Sequence, residues 1–146
     1  MDEVDRRLLD LLRANARVTN HALAEAVGIA PSTCLTRVRA LRERGVIRGF
    51  HADVDPAAVG LTLQAMISVR LQSDARDRMG SFVAWLGELP AIRDVYFVAG
   101  VEDYLLHVAT TGSAALRDLV TLLNGRSEVA GTNTSLIFEH RGMHAG

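Results

Sequence analysis

Between Pro31 and Arg48 the chain sets three short hydroxyl side chains, Ser32, Thr33 and Thr36, beside five arginines, of which Arg37, Arg39, Arg42 and Arg48 are the candidates for contact. Hydroxyls on the first turn of a helix suit base edges or phosphate oxygens, and a guanidinium fork suits guanine or phosphate. A helix that turns Cys34, Leu35, Val38 and Leu41 inward leaves Ser32, Thr33, Thr36, Arg37, Ala40 and Glu43 outside. Arg37 is then the expected base or phosphate fork, and Arg39, Arg42 and Arg48 the expected phosphate contacts. The plainer alternative is a set of solvated helix arginines.

A second constellation is Gly100-Val101-Glu102-Asp103-Tyr104. Gly100 permits a tight turn whose exposed N–H groups suit a carboxylate. Asp103, or Glu102 beside it, suits an ammonium, and Tyr104 adds an apolar face with a hydroxyl. Together they complement both charged ends of an amino acid. The plainer alternative is a hairpin turn in which Asp103 caps local backbone. The histidines show no metal-site spacing: His140 and His144 are four apart, but Gly142 lies between them and no third ligand is near. His107 reads as a strand or interface residue. Neither metal nor cofactor is expected, and the single Cys34 reads as a small core residue.

The 146 residues carry a formal net charge of −1 and are 49% hydrophobic, which excludes a disordered chain. Taken alone, a near-neutral balance argues against a nucleic-acid partner, but it is a cancellation. Residues 1–50 hold nine Arg and six acids, a net of +3, whereas residues 51–146 hold seven Arg and eleven acids, a net of −4. Two units with different partners follow. All sixteen basic residues are Arg, so every basic site carries a planar fork. One cysteine allows no internal disulfide, and no apolar run approaches the roughly 18 residues of a membrane span. A soluble, cytoplasmic protein without a membrane partner is expected.

The elements that must position these groups begin with a helix capped by Asp2, with Val4, Leu8, Leu11 and Leu12 on one face. Thr19 caps a second helix, Asn20 to Val27, closed by Gly28, and Pro31 opens a third that runs to about Arg44. This is a helix-turn-helix pattern. Val46 to Asp53 reads as a strand, and residues 50–60, with Asp55-Pro56 and Gly60, as a linker.

Beyond it lie a strand (Leu63 to Leu71), a helix (Asp74 to Leu89, with Met79, Phe82, Val83, Leu86 and Leu89 inward) and a strand (Ile92 to Ala99). A strand (Tyr104 to Thr110), a helix (Ala114 to Leu123) and a last strand (Asn133 to His140) complete the order. The order β-α-β-β-α-β is the ferredoxin-like split pattern, with both helices on one side of the sheet. The strands read as apolar on both faces, which predicts a homodimer through the other side. The fold class is therefore α+β, with a helix-turn-helix domain over 1–49, the linker, and a ferredoxin-like domain over 61–146.

The run Cys34-Leu35-Thr36-Arg37-Val38-Arg39-Ala40-Leu41, then Gly45-Val46-Ile47-Arg48-Gly49-Phe50 and Asp55-Pro56, resembles the Lrp/AsnC (leucine-responsive, or feast/famine) family. So does Gly100-Val101-Glu102-Asp103-Tyr104-Leu105-Leu106, which matches its Gly-x-x-Asp-Tyr turn. The resemblance covers about residues 2 to 140. It implies a winged helix-turn-helix regulator that binds double-stranded DNA in the cytoplasm, on the nucleoid. It also implies a ferredoxin-like ligand-sensing (RAM) domain that dimerises, assembles to an octamer and senses an amino acid or related metabolite. By the same resemblance, Thr132 and Thr134 join Gly100, Glu102, Asp103 and Tyr104 as effector residues. The chain departs from the family in Ala30 ahead of the third helix, which weakens its cap, and in Ala22, which removes a capping-box acid. Two other readings remain: an enzyme resembling the tetrapyrrole (sirohaem) decarboxylases of related fold, and an architectural DNA-binding protein without effector response.

Overall fold

The computed structural model describes residues 1–142; His144 lies outside them. Residues 1–53, with Arg141 and Gly142, form one compact unit and residues 54–140 the other.

The first unit is three helices. Asp2 caps α1 (Glu3–Ala14) by accepting from the Asp5 N–H, while the Asp5 carboxylate accepts from the Asp2 N–H, a reciprocal capping box. Thr19 Oγ1 accepts the Ala22 N–H to start α2 (Asn20–Val27), and Gly28, at φ 74°, ends it in a left-handed conformation that suits glycine. α3 (Pro31–Glu43) has no side-chain cap at Ala30, and proline opens it instead. The Asn20 side-chain amide donates to the Pro31 carbonyl at 2.8 Å, joining the starts of α2 and α3. Leu8, Leu23, Ala24, Val27 and Cys34 form the core.

Three expectations change here. Leu35 is 51% exposed, because the buried stripe of α3 steps from Cys34 to Leu41 and passes over the next residue. Val38 is only half-buried. Residues 46–53 form no strand: the Val46 and Ile47 N–H groups both return to the Leu41 carbonyl at 2.9 and 3.1 Å. Among the described residues no strand pairs with this segment, and an extended segment without a ladder does not make a sheet.

The second unit opens on a turn, in which Asp55 Oδ1 accepts the Ala57 N–H. Its sheet comprises β1 (Leu63–Leu71), β2 (Ile92–Phe97), β3 (Tyr104–Thr110) and β4 (Val129–Ile137), in the order β2-β3-β1-β4 and antiparallel throughout. α4 (Met79–Leu86) and α5 (Ser113–Asn124) cover one face. Ala65, Ile67 and Val69 of β1 and Tyr104, Leu106 and Val108 of β3 pack there with Phe82, Leu86, Leu116, Leu119 and Leu123.

The opposite face follows from the alternation of the strands. It shows Met66, Leu105, Tyr96 and Ile137, interleaved with Gln64, Ser68, His107 and Asp94. The apolar second face is thus shared with polar groups. His107 Nδ1 lies 3.1 Å from Asp94 Oδ2 and its Nε2 2.8 Å from Gln64 Oε1, a polar bridge over three strands.

The helix expected over Asp74 to Leu89 is shorter. A 3₁₀ turn at Arg76–Arg78 precedes α4, with the Arg78 N–H bonded to the Ala75 carbonyl. Val83 is exposed, and half-buried Trp85 joins the core side instead. β2 stops at Phe97, where the Val98 N–H turns to the Asp103 carbonyl. β4 starts four residues before the expected Asn133 and ends before His140, because its pairing with β1 runs on to Val129 opposite Leu71.

Ile67 is wholly buried in the middle of the central strand. Ile67→Ala is expected to lower stability by about 2–5 kcal/mol, as measured by urea unfolding. A change within 0.5 kcal/mol, on the order of that for a surface site, would contradict this packing.

Candidate nucleic-acid interface and effector turn

α3 divides its polar residues between two sides. Ser32 and Thr33 stand exposed on its first turn and, among the described residues, make no side-chain hydrogen bond. Thr36 is exposed too, with Oγ1 donating to the Ser32 carbonyl at 3.0 Å, which leaves its lone pairs outward. Arg39, Arg42 and Arg48 line one concavity of about 420 Å³ together with Glu43. The Arg42 guanidinium lies 5.7 Å from the centre of the Phe50 ring, and a stacked guanidinium keeps its donors in a fixed plane. Three cations around one hollow, near the C-terminal end of the helix, complement an anionic backbone.

Arg37 does not join them. Its Nη1 donates to Asp2 Oδ2 at 2.7 Å and to Asp5 Oδ1 at 2.9 Å, so one guanidinium fastens α3 to the capping box of α1. The expectation of an outward fork treated Arg37 as outside the buried stripe. In the fold, position 37 lies three residues past Cys34 and one before Val38, on the α1 side. Asp2 and Asp5 are the residues the sequence reading missed as partners. The signal lay in two acids at the cap and third position of α1 and an arginine three residues past buried Cys34 of α3.

The Asp2 carboxyl is held below its usual range, first by the Asp5 N–H and then by Arg37, and the Arg37 guanidinium is held correspondingly further above its own. Asp5 is nearly buried, at 8% exposure. The Cys34 thiol, at the base of α3, is pushed up by burial, as befits an inert core cysteine.

In the sheet unit, Gly100 has φ 134°, a conformation costly for a side chain, and connects β2 to β3. Asp103 pins this turn to β1: its N–H donates to the Val69 carbonyl at 3.0 Å, and its Oδ2 accepts the Leu71 N–H at 2.7 Å. Glu102 is half-buried. Tyr104 departs from expectation, being only 4% exposed and packed between the tilted rings of Phe82 and Phe97 at centroid distances of 5.9 and 5.3 Å. Burial raises its hydroxyl pKa, and the Asp103 charge adds to the effect. It belongs to the core and supports the turn from below.

Thr132 and Tyr104 both pair with Val69 from opposite sides, so the turn and the start of β4 lie at the same end of the sheet. The Thr132 hydroxyl is bonded to the Asn124 side-chain amide at 3.0 Å, and half-buried Thr134 lies opposite Ile67, further along the strand. A separate pair closes the end of α5: Arg126 bonds Glu128 at 3.2 and 2.9 Å and stacks on Trp85 at 4.5 Å. The Glu128 carboxyl is held down by its own backbone N–H and by Arg126, against the opposing effect of burial. No group of three His, Cys, Asp or Glu among the described residues is placed to hold a metal ion.

Residues 1–48 match the family model of a winged helix-turn-helix DNA-binding domain, and residues 64–144 that of the Lrp/AsnC ligand-binding domain. The HTH-type transcriptional regulator AldR of Mycolicibacterium smegmatis is 60% identical over 141 residues, covering 96% of this chain and 82% of that protein. The crystal structure of Mycobacterium tuberculosis AldR aligns over 100% of this chain and 99% of that one, at 50% identity and a TM-score of 0.81. A transcriptional regulator of Neisseria meningitidis, solved in complex with L-methionine, aligns over 99% and 94%, at 30% identity and a TM-score of 0.90.

Arg39→Gln, Arg42→Gln and Arg48→Gln are each expected to reduce the slope of log affinity against log salt for a mixed-sequence duplex by about one, read by fluorescence anisotropy. Unchanged slopes would remove the concavity from the interface. Both depressed carboxyls contribute stability that is full above the ordinary carboxylate range and is lost as pH falls through their lower folded values. The melting temperature should therefore drop below about pH 4, and Asp2→Asn should flatten part of that drop. An Asp2→Asn curve parallel to wild type at every pH would contradict the pairing.

Proposed function

The chain belongs to the Lrp/AsnC family of transcriptional regulators, with a DNA-binding helix-turn-helix and a ligand-binding domain, and we propose how its parts divide that work. Residues 1–49 read double-stranded DNA, 50–60 act as the linker, and 61–146 dimerise and hold the effector. Ser32, Thr33 and Thr36 meet base edges, while Arg39, Arg42 and Arg48 hold phosphates. Arg37 holds the recognition helix in place from behind. The observation that carries this reading is a sorting of arginines: Arg39 and Arg42 of α3 and Arg48 beyond it open around one hollow, and Arg37 closed on two carboxylates.

The effector is an amino acid or close relative, held around Gly100, Glu102 and Asp103. Tyr104 backs the turn, and Thr132 and Thr134 stand at the neighbouring strand. The L-methionine complex of the Neisseria regulator supports that class. A homodimer forms through the uncovered sheet face bearing Met66, Leu105 and Tyr96, with the isologous symmetry usual for such pairs, and dimers assemble to an octamer. The relatives are named as regulators, which favours this reading over a decarboxylase. No helix among the described residues is long and apolar enough to cross a membrane, and the reading places the protein on the nucleoid in the cytoplasm.

The test is binding to duplex DNA from upstream of its own gene, against mixed-sequence competitor. Discrimination on the order of 10³ or more is expected, and equal affinity for both would refute sequence reading. Sedimentation at micromolar concentration should give a dimer or larger, and Leu105→Asp should give a folded monomer. A monomeric wild type would refute the assembly.

A further inference from the structure

The sheet face that no helix covers carries a polar trio among apolar neighbours. Asp94 of β2, His107 of β3 and Gln64 of β1 meet there, with His107 Nδ1 3.1 Å from Asp94 Oδ2 and Nε2 2.8 Å from Gln64 Oε1. Met66 stands opposite His107 in the ladder, and Leu105 and Tyr96 lie two residues along β3 and β2. The Ser68 hydroxyl, on the same face, donates to the Asn133 carbonyl at 3.3 Å. Gln64, Ser68 and His107 thus bond to their own sheet, and an apolar surface can cover them without stranding a polar atom. A second copy of the same face is such a surface. The trio also has a charge that depends on one proton. Both facing oxygens are acceptors, so the ring that fills both contacts is the imidazolium, which has a hydrogen on each nitrogen. A neutral ring carries one hydrogen and fills the second contact only if Gln64 turns its amide over. With that neutral ring the trio bears the single negative charge of Asp94, and with the imidazolium it bears none.

We infer that protonation of His107 strengthens the dimer, the trio acting as a proton-sensitive seal on the shared face. The inference rests on the sheet-face homodimer and adds its pH dependence. Covering a trio with a net charge takes that charge out of water uncompensated, whereas covering a neutral, hydrogen-bonded one costs less. The dimer therefore holds more protons than the separated chains, and association tightens as pH falls through the range in which histidine ordinarily titrates. The other titratable or charged groups of these strands are few. β1 adds Arg70, four residues along from Met66, β2 adds Arg93 and Tyr96, β3 adds Tyr104 on the core side, and β4 adds none. Carboxylates, arginines and tyrosines ordinarily keep one charge state around neutral pH, which leaves His107 as the member that switches.

The experiment mixes the full chain with a heavy-nitrogen-labelled copy and follows mixed dimers by native mass spectrometry at about pH 6 and about pH 8. Subunit exchange reads the dissociation rate, where most differences between related complexes lie, however tight the dimer is. Wild type is expected to exchange about tenfold more slowly at the lower pH. His107→Gln should exchange at one rate at both. Asp94→Asn makes the trio neutral with the neutral ring and positive with the imidazolium, so its exchange should be faster at the lower pH. A merely structural role for His107 would not reverse that sign, and the reversal carries the test even if His107→Gln fails to fold. Equal wild-type rates at the two pH values, a His107→Gln variant that keeps the wild-type difference, or an Asp94→Asn variant that keeps its sign would overturn the inference and leave the dimer standing. A wild type that forms no dimer, or a Leu105→Asp variant that still forms one, would remove the sheet-face reading and the inference with it.

Discussion

One guanidinium shared by two carboxylates sets the frame of the DNA-binding unit. Arg37 reaches from the recognition helix to Asp2 and Asp5, which are themselves joined as the reciprocal cap of the first helix. The cap that starts α1 is therefore also the anchor that holds α3. An ion pair on an open surface contributes about 0–1 kcal/mol, but Asp5 is nearly buried and every partner here is hydrogen-bonded twice or more. The pair also acts by subtraction. It engages one of the arginines of α3 and leaves Arg39 and Arg42, with Arg48 beyond the helix, around the open concavity.

The sensing unit relies on a comparable economy of groups. Asp103 gives its N–H to Val69 and one carboxylate oxygen to Leu71, so the β2–β3 turn is fixed to the central strand at two points. Tyr104, buried directly behind, fixes it at a third. A turn held this way presents Gly100 and Asp103 in a defined geometry, which is what pre-organised binding requires.

Much of this was legible in the residues. The bounds of α2, β1 and β3 follow from caps and period alone, since Thr19, Gly28 and strict alternation leave little choice. The charge split between the two halves pointed to a nucleic-acid partner that the net charge of −1 had concealed. What stayed hidden depended on tertiary partners. Apolar residues at 46–53 promised a strand, yet a strand exists only with a ladder, and the pattern names no partner. Leu35 is apolar but one step off the buried stripe, and a helical wheel resolves such a step only when the facing helices are known. The partners of Arg37 stayed hidden for the same reason, because they are two acids more than thirty residues away. Tyr104 looked like a ligand contact by its hydroxyl, whereas its ring fills the space between Phe82 and Phe97.

The central claim is that the arginines of the recognition region divide into one that positions and three that touch DNA. The most direct test is the salt dependence of mixed-sequence duplex binding by Arg37→Gln, measured with its unfolding curve. The account predicts a slope of log affinity against log salt equal to wild type, with a lower unfolding midpoint. A slope shallower by about one with unchanged stability would put Arg37 on a phosphate and contradict the account.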